Sequence, residues 1–155
     1  MSDWLEVFQN RNGLDEILVE RAIAEFRAGR PVVVAGSSEA LLVCGVETLD
    51  GATAQDLDRL AAGRARLVLP AARLRRLGLD RTVPGTVALP TIDLQRIETL
   101  SLKIDARIDA PVAPVSGIDG TALELARLAL TLPAIIAFRV DAAALPEGLF
   151  VTVSE

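Results

Sequence analysis

The chain reads as an α/β domain, a three-layer arrangement of helices on a mixed, twisted β-sheet. Three observations predict this. Short β-branched runs alternate with amphipathic stretches, in an order that mixes a hairpin with βαβ-like units. The runs at 31–35, 40–46 and 134–140 are almost wholly apolar, as strands covered on both faces are. At 155 residues, 51% of them hydrophobic, the chain has the size of one domain with a substantial core.

Residues 1–13 are mostly polar with a lone Trp4 and an Asn12-Gly13 pair, and read as an N-terminal arm. Residues 14–155 form a single domain. The first helix is expected over 15–28. Leu18, Val19, Ala22, Ile23 and Phe26 share one face, Asp15 and Glu16 favour the start, and Gly29 supplies the position after the end. The runs 31–35 and 40–46 flank Gly36-Ser37-Ser38-Glu39 and predict a hairpin. Thr53 to Asp56 is a partial capping signal for a helix through 62. A short strand follows at 66–69, then a short helix at 71–77 closed by Gly78.

Residues 86–89 predict another strand, and 91–98 a helix with Thr91 as N-cap. Residues 101–106 alternate like a strand. Two prolines and two glycines make 111–120 a loop. Residues 122–132 predict a helix broken at Pro133, leading into a buried strand at 134–140. A turn of helix at 141–145 and a last strand at 149–153 complete the order.

Composition narrows the function. Net charge is −5. The basic residues are scattered, and the chain has no Tyr and one Trp. A nucleic-acid surface needs a basic patch, usually with stacking aromatics, so no nucleic-acid partner is expected. No apolar run reaches the roughly 18 residues of a membrane span, and the acidic N-terminus lacks the basic start of a signal peptide. No membrane partner is expected, and the expected compartment is the cytoplasm. Cys44 is the sole cysteine and histidine is absent. A zinc site draws on three or four such ligands. No metal and no cofactor are therefore expected, and Cys44 reads as a buried, inert thiol.

Three segments, in order, resemble 3,4-dihydroxy-2-butanone 4-phosphate synthase. The first is 19–34, ending Gly29-Arg-Pro-Val-Val-Val34, followed by Leu42-Val-Cys-Gly-Val-Glu47. The second is Arg66-Leu-Val-Leu-Pro70 with Arg73-Leu-Arg-Arg-Leu-Gly78. The third is Ala122-Leu-Glu-Leu-Ala-Arg-Leu-Ala129 with Leu132-Pro-Ala-Ile-Ile136. The resemblance implies a three-layer fold and a homodimer with active sites at the subunit interface. It also implies an acidic loop that binds Mg²⁺, a His-Thr pair opening the last long helix, and a Glu on the strand after it. In that chemistry Mg²⁺ on hard oxygen ligands stabilises an enediolate.

Here the acidic loop is cut to Gly36-Ser37-Ser38-Glu39. Ile118-Asp119 stands at the His-Thr positions, and Arg139 at the position of the late Glu. The stretch between Gly85 and Ile92 is shortened as well. The chain also resembles the degenerate synthase-like N-terminal domain of some bacterial GTP cyclohydrolase II proteins, through the 121–133 helix and the Leu145-Pro-Glu-Gly-Leu149 segment. The expectation is a non-catalytic synthase-like domain of a riboflavin-pathway protein. It would dimerise or support a cyclohydrolase domain downstream, and this chain alone would not be an enzyme. The alternatives are an enzyme of altered specificity on a phosphorylated small molecule, or a ligand-free assembly module.

The residual-site candidates are Ser37, Ser38, Glu39, Asp119 and Arg139. Ser37 and Ser38 read as a hairpin turn or as a backbone phosphate cradle. Asp119 reads as a helix cap or as a remnant ligand. Arg139 interrupts an apolar strand. An unpartnered buried guanidinium is too costly, so it needs a carboxylate or water. In the family's frame it faces the vacated site together with Glu39 and Asp119, where a buried pair would seal the pocket. Arg73, Arg75 and Arg76 read as a solvated face or a phosphate clamp. Glu47 reads as a turn-fixing or a binding residue.

Overall fold

In the computed structural model, residues 11–146 and 148–154 are described. The first helix, α1, runs Arg11–Arg27. It begins earlier than the sequence predicts, so residues 11–13 of the expected arm belong to it; the rest of that arm lies outside the described residues. Gly29 ends the turn after α1 at φ +82, where an added Cβ would sit 3.1 Å from the carbonyl oxygen of Thr48. Glycine alone takes that conformation there without strain.

The hairpin forms as expected, from β1 (Val32–Ala35) and β2 (Ala40–Gly45), paired Ala35 to Ala40 through Val32 to Val43. Next come α2 (Gly51–Ala61), β3 (Ala65–Leu69), α3 (Ala71–Arg76), β4 (Gly85–Leu89) and α4 (Leu94–Leu102). The chain continues through β5 (Val112–Pro114), α5 (Gly117–Leu128) and β6 (Ile135–Val140). A 3₁₀ turn (Ala142–Ala144) and β7 (Thr152–Ser154) follow.

The seven strands make one sheet in the order β5-β4-β3-β6-β2-β1-β7. All pairs are antiparallel except β1 with β7, which makes the sheet mixed as expected. Alternate side chains feed two cores. On one face Leu42, Cys44, Leu67, Ile136 and Phe138 meet Ala54 and Leu57 of α2, Leu74 of α3 and Ile97 and Leu100 of α4. On the other, Val34, Leu41, Val43, Val68 and Ile135 meet Ala22 and Phe26 of α1 and Ile118, Ala122 and Ala126 of α5. Each fully buried Leu, Ile or Phe side chain contributes about 1.5–3 kcal/mol. Of the apolar runs read as doubly covered strands, all six residues of β2 are buried, as are the first three of β1 and the first four of β6.

Four expectations need correction. The cap of α2 is Asp50, whose carboxylate accepts from the Thr53 amide at 2.7 Å, not Thr53 itself. The cap of α4 is Asp93, not Thr91. Residues 101–106 are not a strand: α4 continues to Leu102, and the apparent alternation comes from Leu102 and Ile104, both exposed. Residues 111–120 are not all loop. They hold the edge strand β5, where Pro114 costs no ladder bond, and the first turn of α5. That helix accordingly starts and ends earlier than 122–132.

Candidate functional site

One end of the sheet gathers the residues singled out in the sequence. Pairing of Ala35 with Ala40 puts the Gly36–Glu39 turn there, closed by the Gly36 amide donating to the Glu39 carbonyl at 2.7 Å. Ser37 and Ser38 are its two exposed central residues. Leu41 pairs with Arg139, so the end of β6 lies beside this turn. One strand over, Arg66 pairs with Ala137, on the same face as Arg139 and one pleat back.

Arg139 donates through Nη2 to Glu39, so the carboxylate partner required by the sequence is present. The pair is not buried, however: the Arg139 side chain is 69% exposed. It lies on the surface at the last turns of the ladder, where β6 leaves the sheet, and it does not seal a pocket from inside.

Asp119 does not join that pair. It is buried and forms two sets of bonds. Oδ1 accepts from Arg66, at 3.1 Å from Nε and 2.5 Å from Nη2. Oδ2 accepts from the Ser116 amide and hydroxyl, both at 3.1 Å. With the Asp119 amide donating back to Ser116 Oγ, this is a complete capping box on α5. The Arg66 side chain is only 25% exposed and that of Asp119 4%. The ionic core of this end is thus Arg66–Asp119. Arg66 was missed in the sequence, although a charge inside the short apolar strand Arg66-Leu-Val-Leu is the same signal that drew attention to Arg139.

Beside it runs a shallow groove of about 480 Å³ lined by Arg64, Arg66, Thr86, Ala88 and Val112 among others. None of Ser37, Ser38, Glu39, Asp119 and Arg139 lines it. The five candidates share an end of the sheet, and this groove collects none of them. Among the described residues, no three of Cys, Asp and Glu come together in a way that could hold a metal ion.

The other readings resolve structurally. Of the three arginines of α3, Arg75 and Arg76 are exposed, as in a solvated face, but Arg73 is half-buried. Its guanidinium donates to the carbonyls of Leu100 at 2.8 Å, Thr99 at 3.1 Å and Lys103 at 2.8 Å, capping the end of α4. Burial, with Arg76 nearby, pushes its pKa down. Glu47 accepts from the Leu132 amide at 3.2 Å and ties β2 to the turn before β6. Cys44 is buried, and burial followed by the charge of Asp50 raises its thiol from the ordinary value to about 11. No helix among the described residues is long and apolar enough to cross a membrane.

No family model matches the chain. GTP cyclohydrolase-2 from Xylella fastidiosa, in two strains, is 34% identical over 124 residues, which is 78% of this chain and 31% of the relative. The chain thus spans about a third of the length of these relatives. A crystal structure of 3,4-dihydroxy-2-butanone 4-phosphate synthase in its cation-free form superimposes with a TM-score of 0.63 at 21% identity, covering 86% of this chain and 80% of that one. The structure of a synthase in complex with two magnesium ions gives 0.63 at 20%, covering 86% and 81%. The seven-stranded mixed sheet with its two helical layers is therefore the synthase fold. Fold and sequence together make this chain a 3,4-dihydroxy-2-butanone 4-phosphate synthase-like domain, of the kind carried within GTP cyclohydrolase II proteins.

Proposed function

We propose that this is a non-catalytic synthase-like domain of a riboflavin-biosynthesis protein, serving dimerisation and support of a cyclohydrolase domain elsewhere in the same polypeptide. One observation carries the reading: the two candidate carboxylates at the site end of the sheet, Glu39 and Asp119, are each committed to an arginine. Glu39 bonds Arg139, and Asp119 bonds Arg66 and its own helix cap. A divalent cation of the hard, oxygen-seeking type needs several carboxylate or carbonyl oxygens free to turn toward it. The donor set here does not fit such an ion. Arginine at 139 also places positive charge on Glu39, the one carboxylate left in the shortened loop. The kinship to GTP cyclohydrolase-2 over a third of its length supports a role as one part of a larger riboflavin-pathway protein.

A catalyst of altered specificity needs a concave site with converging polar groups, and the groove beside Arg64 and Arg66 collects none of the five candidates. Titration with Mn²⁺, read by electron paramagnetic resonance, tests the proposal at the cation. The expected result is no saturable site. A stoichiometric site that disappears in Glu39→Gln overturns it. Sedimentation equilibrium tests the supporting role, for which a homodimer is expected and a monomer at all concentrations is the contrary result.

A further inference from the structure

The sheet face that carries α1 and α5 is not covered along its whole width. Val68 of β3 packs beneath those helices. Directly paired residues of antiparallel strands point to the same side. Thr86 of β4 lies opposite both Val68 and Ala113 of β5, and Ala88 lies opposite Arg66. All of these therefore share the α1–α5 face. Ala88 and Ala113 are exposed, so no layer covers them. Their small side chains leave a low floor, and this is the groove of about 480 Å³ beside the Arg66–Asp119 pair.

The charge of this groove runs against that of the chain. Net charge is −5, yet the residues lining the groove include Arg64 and Arg66 and no acid. Arginines on a solvated face are mobile, but Arg66 is held in place. Its Nε and Nη2 both donate to Asp119 Oδ1, and the other oxygen of that carboxylate is fixed in the capping box of α5. Nη1 is left outside that pair. Arg64 stands two residues earlier. Its Nε donates to the Ala61 carbonyl at 3.1 Å, which leaves both terminal nitrogens for another acceptor. Thr86, a buried residue that lines the groove, adds a hydroxyl.

We propose that this groove binds the phosphate group of a small phosphorylated molecule. Arg64 and Arg66 take the phosphate oxygens, Thr86 donates a further bond, and Ala88, Val112 and Ala113 face the carbon part. Guanidinium matches phosphate in both charge and geometry. Residues two apart along one strand face are about 6–7 Å apart, so two guanidiniums there can share one tetrahedral dianion. A single carboxylate is satisfied by one of them. The groove has the size of a small-molecule site, roughly 300–1,000 Å³. The proposal goes beyond the non-catalytic reading and does not depend on it. Holding a phosphorylated molecule requires neither a metal ion nor an acid–base pair.

The test is an amide chemical-shift titration of the full chain with glycerol 3-phosphate, inorganic phosphate and acetate at matched ionic strength. Saturable shifts at residues 64–66, 86–88 and 112–113 are expected with both phosphates and not with acetate. Glycerol 3-phosphate should bind more tightly than inorganic phosphate. Equal affinity would overturn the phosphorylated molecule in favour of free phosphate. Arg64→Gln leaves the Arg66–Asp119 pair intact, so the urea midpoint should hold while binding weakens by about 10-fold, the loss of one charge-assisted contact. Thr86→Val should weaken it by about 3-fold. Arg30→Gln makes the same change of charge at the end of α1, where Arg30 bonds Glu25, and should leave binding unchanged. No saturable shift with either phosphate overturns the proposal, as does an equal loss in Arg30→Gln and Arg64→Gln. The Mn²⁺ titration reads the non-catalytic claim separately, so failure of one is distinguishable from failure of the other.

Discussion

Asp119→Ala is the sharpest perturbation of the site end. The carboxylate is buried, accepts two bonds from Arg66, and holds both halves of its bonds to Ser116. Losing the capping interaction alone costs about 1 kcal/mol. Removing one partner of a buried ion pair costs about 3–5 kcal/mol, because the other charge stays behind without compensation. A quarter of the Arg66 side chain reaches solvent and can take part of its charge there, so the total should be near the low end, about 3 kcal/mol. For a chain of this size that is roughly 6–12 °C of thermal midpoint. Glu39→Ala removes a pair whose arginine is 69% exposed, and should cost no more than about 1 kcal/mol. Urea unfolding of the two variants, with equal m-values, reads the difference directly. Adding Arg66→Met to Asp119→Ala should recover part of the loss, since the stranded cation is then gone. If Asp119→Ala shifts the urea midpoint no further than Glu39→Ala, the assignment of Arg66–Asp119 as the ionic core of this end is wrong.

Three further outcomes follow from the packing. Gly45→Ala puts a Cβ at 2.8 Å from Cε1 of Phe26, and should destabilise by about 1–3 kcal/mol; a smaller ring-free side chain in Phe26→Leu/Gly45→Ala should relieve part of it in urea melts. Arg73→Met removes three bonds to the last carbonyls of α4, and should lower stability by about 2 kcal/mol and speed amide exchange in α4; exchange confined to wild-type rates would contradict the capping role. Cys44 has its thiol raised from about 9 to about 11 by burial. The unfolded chain therefore releases this proton first, and the stability it contributes, complete below pH 9, is lost as pH rises toward 11. The slope should be about 1.4 kcal/mol per pH unit in that window. With no tyrosine and Lys103 as the sole lysine, few other groups obscure it, and the slope should flatten in Cys44→Ala.

The hairpin and β6 were legible in the sequence because long apolar β-branched runs have one economical placement, covered on both faces. The end of α1 was legible from Gly29. The strand wrongly read at 101–106 shows the limit of periodicity: Leu102 and Ile104 alternate by chance, and the helix continues because Ile97 and Leu100 still face the core. The edge strand β5 was hidden by Pro114 and by Pro111 just before it, since an edge needs no unbroken ladder. In the candidate site, the rule that a charge in an apolar strand needs a partner found Arg139 and Glu39. It could not say that the pair would lie at the surface, because exposure at a strand end depends on where β6 leaves the sheet. The Arg66–Asp119 pair joins residues 53 positions apart, across a strand–helix register that local pattern does not carry.

The central claim is that this domain keeps the synthase fold without its chemistry. The most direct test is formate release from ribulose 5-phosphate in the presence of Mg²⁺, followed to long times against a no-enzyme control. The account predicts no release above that control. Mg²⁺-dependent turnover that is abolished in Glu39→Gln would contradict it.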